Sequence, residues 1–122
     1  MADAVSQKII VNLATPMSLG RICAQAAHAS WLAVLNQGQW IDNELSVNTD
    51  SDPALREWLR ESFTKVMLRG WGDAMLLDLK AKAEAAGLPC GLMEEDGHLT
   101  ALCVGPAYTK DIDLAIGKLN LL

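Results

Sequence analysis

Residues 8–36 read KIIVNLATPMSLGRICAQAAHASWLAVLN. The hydrophobic period changes once within this stretch, and the change decides the fold class. From Lys8 to Leu13 a β-branched run, closed by Thr15-Pro16, predicts a buried strand. From Leu19 to about Asn36 the pattern becomes helical. Leu19, Ile22, Cys23, Ala26, Ser30, Ala33 and Val34 recur at the i, i+3, i+4 spacing of a core-facing stripe, and Ser18 stands where an N-cap belongs. A strand that feeds directly into an amphipathic helix is the opening unit of an α/β domain.

The rest of the chain extends that unit. Residues 38–52, rich in Asn, Asp, Gln and Ser, read as a loop. Asp52-Pro53 opens a short helix with Leu55, Trp58 and Leu59 on one face. Thr64 to Arg69 predicts a second strand, broken by Gly70-Trp71-Gly72. Asp73 then caps a third helix whose inner face is Met75, Leu76, Leu79, Ala83 and Ala86, with Gly87 and Pro89 as its stop signal. Two further strands, Cys90 to Glu94 and Leu99 to Val104, flank the turn signal Asp96-Gly97 and predict a hairpin. A last helix runs from about Lys110 to Gly117 before the apolar tail Leu119 to Leu122. The expected fold is a three-layer α/β/α domain with a mixed four-stranded sheet, formed by residues 1–122 as one domain.

Composition excludes several classes. Net charge is −5, which does not favour nucleic acid through bulk electrostatics, although a local basic patch is compatible with it. Three cysteines without CxxC spacing fit neither a disulfide framework nor a zinc site, and Cys23, Cys90 and Cys103 read as small buried thiols. The polar start from Met1 to Lys8 does not read as a secretory signal, and the Ala-rich run from Cys23 to Leu35 reads as too short to span a membrane. These features suggest a cytoplasmic protein. GxSxG, HExxH and phosphate-loop patterns are all missing. Trp31, Trp40, Trp58 and Trp71 could stack on bases, but packing in the core or at a dimer surface is the plainer reading.

Two clusters could carry chemistry. Arg21, Gln25 and His28 share one helical face near the N-terminus of the first helix, where backbone N–H groups and an arginine suit phosphate. The plain alternative is three ordinary rim residues. Glu94-Glu95-Asp96, followed by His98 and Thr100, offers carboxylates that could direct water, or merely a solvated hairpin tip. The first and third strands should run parallel, which would bring the two clusters to one sheet edge.

The segment MSLGRICAQAAHA, Met17 to Ala29, resembles the signature MGKGKxAAQxxHA of the type 2 peptidyl-tRNA hydrolases. Ala86-Gly87-Leu88-Pro89 is similar to that family's segment before the third strand. LCVGP, Leu102 to Pro106, with Ile112-Asp113 and GKLNLL, Gly117 to Leu122, resembles its closing pattern GIGP…(V/I)D…TGxLKLL. The resemblance implies a homodimer, peptidyl-tRNA as substrate, and cleavage of the ester linking peptide to tRNA. It adds no cofactor. It places the family's lysine position on Arg21, its glutamine on Gln25, its histidine on His28 and its strand threonine on Thr100, and leaves its aspartate to Asp96 or Glu95. Ser18 and His28 are then expected to bind substrate.

The chain departs from the family in its loop. A DAGxTxxxPGT segment is replaced by Glu94-Glu95-Asp96-Gly97 leading straight to His98-Leu99-Thr100. The N-terminal Arg-x-Asp and the basic GKGK run are replaced by Asn12-Leu13-Ala14 and Ser18-Leu19-Gly20. Arginine does not readily surrender a proton, so a lysine-like acid/base role is lost while an electrostatic one survives. Two functions follow: an ester hydrolase with an altered site, or a catalytically inactive relative that binds or regulates.

Overall fold

A computed structural model describes residues 3–122; Met1 and Ala2, the first residues of the expected domain, lie outside the described residues. The elements are β1 (Val5–Asn12), α1 (Leu19–Leu35), β2 (Gln39–Ile41), β3 (Glu44–Ser46), α2 (Pro53–Glu57) continued by one π-helical turn (Trp58–Ser62), β4 (Lys65–Gly70), α3 (Asp73–Ala85), β5 (Cys90–Glu95), β6 (His98–Tyr108) and α4 (Thr109–Ile116). The main sheet has four strands in the order β4-β1-β6-β5. β1 pairs with β4 in parallel and with β6 antiparallel, and β6 pairs antiparallel with β5. The sheet is therefore mixed, and β1, β4 and β5 all run in one direction.

Side-chain alternation sends each strand's residues to two cores. Ile10, Leu68, Leu102 and Val104 pack against Leu76, Leu79 and Ala83 of α3 and Ile112 and Ile116 of α4. On the other face Ile9, Ala101 and Cys103 pack against Ala26, Ala29 and Ala33 of α1. The alanines let α1 lie almost on the sheet backbone. A Cβ on Gly91 would sit 2.5 Å from the Ala29 carbonyl oxygen and 2.6 Å from the Ala33 nitrogen, so only glycine fits beneath the helix. A third cluster of Val5, Val34, Ala54 and Trp58 seats α2 beside α1.

Several expectations need correcting. Residues 38–52 are not all loop: Trp40 pairs with Leu45 in the β2–β3 hairpin, whose turn holds Asp42 at φ 54°, a left-handed conformation that Asp tolerates. β6 runs on beyond Val104 to Tyr108, because the start of β1 offers it a partner (Val5 opposite Tyr108). Pro106, a strand breaker in a regular ladder, falls where the register shifts and no ladder N–H is needed. Gly72, not Asp73, is the N-cap of α3; the Asp73 carboxylate accepts from Asn12 instead. Leu19 and Cys23, placed on the inner stripe of α1, are exposed, because that stripe begins only at Gln25. Of the tryptophans only Trp58 is core; Trp31, Trp40 and Trp71 are exposed.

Candidate active site

The parallel run of β1 and β5 brings two connections to the same sheet edge. One is the β1–α1 loop; the other is the β5–β6 turn. Asp96 and Gly97 both have positive φ, 53° and 79°, which is the two-residue turn the Asp-Gly dipeptide favours. Ser18 opens α1 by accepting the Arg21 backbone N–H at 3.2 Å. Its hydroxyl oxygen thus fixes the first turn of the helix.

From these two connections a continuous polar chain is built. The Arg21 guanidinium grips Glu95 with two nitrogens, Nη2 to Oε1 at 3.0 Å and Nε to Oε2 at 3.2 Å, and reaches Asp96 Oδ2 at 3.3 Å. Gln25 Nε2 donates to Glu95 Oε2 at 2.6 Å, and Thr100 Oγ1 donates to Gln25 Oε1 at 2.6 Å. Gln25 and Thr100 are buried, whereas Asp96 has 82 % of its side chain exposed against 39 % for Glu95. Of the two candidate carboxylates, Glu95 is the one held in place.

A β-bulge aims Thr100. Met93 pairs with Ala101 but Glu94 pairs with Leu99, so Thr100 is an extra residue in β6. It lets Thr100 and Ala101, neighbours in sequence, both address α1: one meets Gln25 and the other packs on Ala26 and Ala29.

The wall opposite is shaped by Asn12. Its amide donates to the Leu99 carbonyl at 2.8 Å and to Asp73 at 3.1 Å, and its Oδ1 accepts the backbone N–H groups of Ala14 and Gly72 at 3.1 and 2.8 Å. A buried amide satisfied on both sides pins the β1–α1 and β4–α3 connections together. The cleft between the β1–α1 loop and the β5–β6 turn, about 320 Å³, is lined by Ala14, Thr15, Pro16, Arg21, Glu95, Asp96, His98 and Thr100.

Arg21, Gln25, Glu95, Asp96 and Thr100 thus converge as expected, while His28 does not join them. Its Nδ1 lies 2.5 Å from the Ala24 carbonyl oxygen, one turn back, and its ring lines a separate apolar groove with Trp31, Leu32, Leu35 and Met93. Asn12 and the bulge escaped sequence reasoning. An asparagine ending a β-branched strand was a faint signal for the first, and the second left none.

The thiols take no part. Burial pushes the Cys90 thiol up to about 11 and raises Cys103 further still, so neither is a ready nucleophile. Cys23 is exposed, but it lies outside the cleft lining. Among the described residues no cluster of three or more His, Cys, Asp or Glu could hold a metal ion. No helix among them is long and apolar enough to cross a membrane.

The arginine–carboxylate–amide–hydroxyl chain lies beyond the strand ends of an α/β sheet, the edge at which such folds usually bind ligands. The family model described as Peptidyl-tRNA hydrolase PTH2 matches residues 5–122. A peptidyl-tRNA hydrolase of Methanopyrus kandleri is 36 % identical over 123 residues, covering 95 % of this chain and 97 % of its own. Another from Halobacterium salinarum is 33 % identical, covering 96 % and 99 %, and one from Methanocaldococcus jannaschii is 31 % identical, covering 93 % and 96 %. The chain belongs to the PTH2 peptidyl-tRNA hydrolase family.

Proposed function

We propose that this chain, as one domain, hydrolyses the ester bond between a peptide and the ribose of tRNA, using an altered form of the family's site. The observation that carries the reading is the unbroken chain Thr100–Gln25–Glu95–Arg21 at the mouth of the cleft. Such a chain fixes donors before substrate arrives, and donors held in place stabilise developing charge better than donors that must reorganise.

The roles follow from chemistry. The Arg21 guanidinium, held by Glu95, provides positive charge for a phosphate or for the oxyanion formed when water attacks the ester carbonyl. Glu95 has both oxygens engaged, so it orients Arg21 and Gln25. Asp96, exposed and held by one contact, is free to turn toward an incoming donor. Gln25 and Thr100 fix the floor of the cleft by hydrogen bonding. Water supplies the hydroxyl of the peptide acid and the proton of the ribose hydroxyl, so the reaction balances without a co-reactant. No observation favours a non-catalytic role.

The homodimer reading draws support from the outer face of α1. Trp31, 66 % exposed, and Phe63 border an apolar groove with Val34, Trp58 and Leu59, a surface suited to a second copy. Sedimentation equilibrium is expected to give twice the chain mass. A cytoplasmic location fits a substrate made during translation.

The test is release of tRNA from an N-acetylaminoacyl-tRNA by the purified chain. Turnover well above background is expected, with a loss of about a hundredfold or more in Arg21→Ala at an unchanged fold. Equal rates for the two proteins would remove Arg21 from the mechanism.

A further inference from the structure

We infer that His98 is a further catalytic residue of this cleft, the base that takes a proton from the attacking water and returns it to the departing ribose oxygen. The assignment rests on the peptidyl-tRNA reading above. His98 lines the cleft together with Thr15, Arg21, Glu95, Asp96 and Thr100. It is the first residue of β6 and stands directly opposite Glu95. Directly opposed residues project to the same face of a sheet, so the imidazole shares the side on which Glu95 meets Arg21 and Gln25.

Apart from Asp96, which is exposed and held only by Arg21, the other polar side chains of the cleft are already committed. Arg21 holds two carboxylates, Glu95 spends both oxygens on Arg21 and Gln25, and Thr100 donates to Gln25. Thr15 is tied to Asn12 and to the Leu99 carbonyl. His98 enters none of these bonds and is exposed at the cleft wall. Arginine makes no base, and both carboxylates of the cleft are paired with it. Imidazole is the side chain whose charge changes between about pH 5 and 8, the range in which a base must work here. The charged groups that face it are Arg21 from α1 and Glu95 and Asp96 from the β5–β6 turn; the β1–α1 loop contributes only uncharged Ala14, Thr15 and Pro16.

The step balances. A ring nitrogen of His98 takes one proton of water as the water oxygen bonds to the ester carbonyl carbon, and the carbonyl pair moves onto oxygen. That pair returns, the bond from carbon to the ribose oxygen breaks, and the ribose oxygen leaves with the bonding electrons and takes the proton from the imidazolium. The products are the peptide acid and the free ribose hydroxyl. The Glu95 carboxylate across the hairpin steadies the imidazolium while it lasts.

The experiment measures N-acetylaminoacyl-tRNA hydrolysis by the intact chain, His98→Gln and His98→Ala as a function of pH, with thermal midpoints for all three. Both variants are expected to fold, since His98 is exposed at a turn, and to lose about 10²- to 10⁴-fold in kcat with KM little changed. The acid limb of the native kcat profile should vanish in both. Added imidazole should restore turnover to His98→Ala and not to His98→Gln. A variant with native kcat, or one that is slow but keeps the native acid limb, overturns the assignment alone. An inactive native chain overturns the peptidyl-tRNA reading and the assignment with it.

Discussion

Two buried glutamines clamp α1 to the sheet, and they differ in how their networks end. Gln7, 0 % exposed, donates to the Ser30 carbonyl at 3.0 Å and accepts from the Ser30 hydroxyl, closing a ring of two residues. Gln25, 7 % exposed, accepts from Thr100 but donates to Glu95, and through Glu95 its network reaches Arg21 and the cleft. The first arrangement satisfies every polar atom internally and can only hold the helix down. The second has one end in solvent, where a substrate can take over a partner. A closed polar ring builds the scaffold; an open chain makes a site.

That contrast can be broken by substitution. The largest expected effect is Gln25→Leu, which separates Thr100 from Glu95 and should lower kcat/KM for an N-acetylaminoacyl-tRNA by about 10²- to 10³-fold. Gln7→Leu should do the reverse. It takes the acceptor from the buried Ser30 hydroxyl and should cost about 1–3 kcal/mol in urea unfolding, while the activity of the folded fraction stays near native. If both variants lose activity and stability alike, the distinction between the two networks fails. Ser18→Ala removes the cap of α1 and should cost about 1 kcal/mol by the same unfolding measurement, with Arg21 less well held and a modest rise in KM. The smallest effect is chemical. A maleimide at pH 8 should modify exposed Cys23 first and leave activity close to native, because Cys23 stands outside the cleft. Cys90, with its thiol raised to about 11, should stay protonated at that pH and react faster only as pH rises toward that value. Mass spectrometry of the labelled peptides distinguishes the two cysteines.

What the sequence disclosed was local or followed from topology. The period change across residues 8–36 gave β1 and α1, and Asp96-Gly97 gave the hairpin, because those signals lie within a few residues of one another. The meeting of Arg21 with Glu95 and Asp96 could be foreseen from strand direction alone. The burial of Gln25 could not. Helical spacing put it on the polar face, and only partners some 70 residues away, Glu95 and Thr100, make an inward-facing amide tolerable. Likewise His28 looked like part of the site because it shares a face with Arg21, but at i+7 it lies about 10 Å farther along the helix. The β2–β3 hairpin was hidden because its strands are three residues each, too short for a periodic signal.

The bulge at Thr100 sets the hairpin's regularity against its usefulness. A regular ladder would pair Met93 and Glu94 with consecutive residues of β6; instead one residue is surplus, and that residue carries the hydroxyl bonded to Gln25. Removing Thr100 altogether would leave Leu99 on the α3 side and Ala101 on the α1 side, the alternation an unbroken strand prefers. A shortened chain of this kind could pair more evenly while losing one link of its polar chain. The flaw in the strand is thus the part a search for greater heat resistance would discard first, and activity should be lost with it.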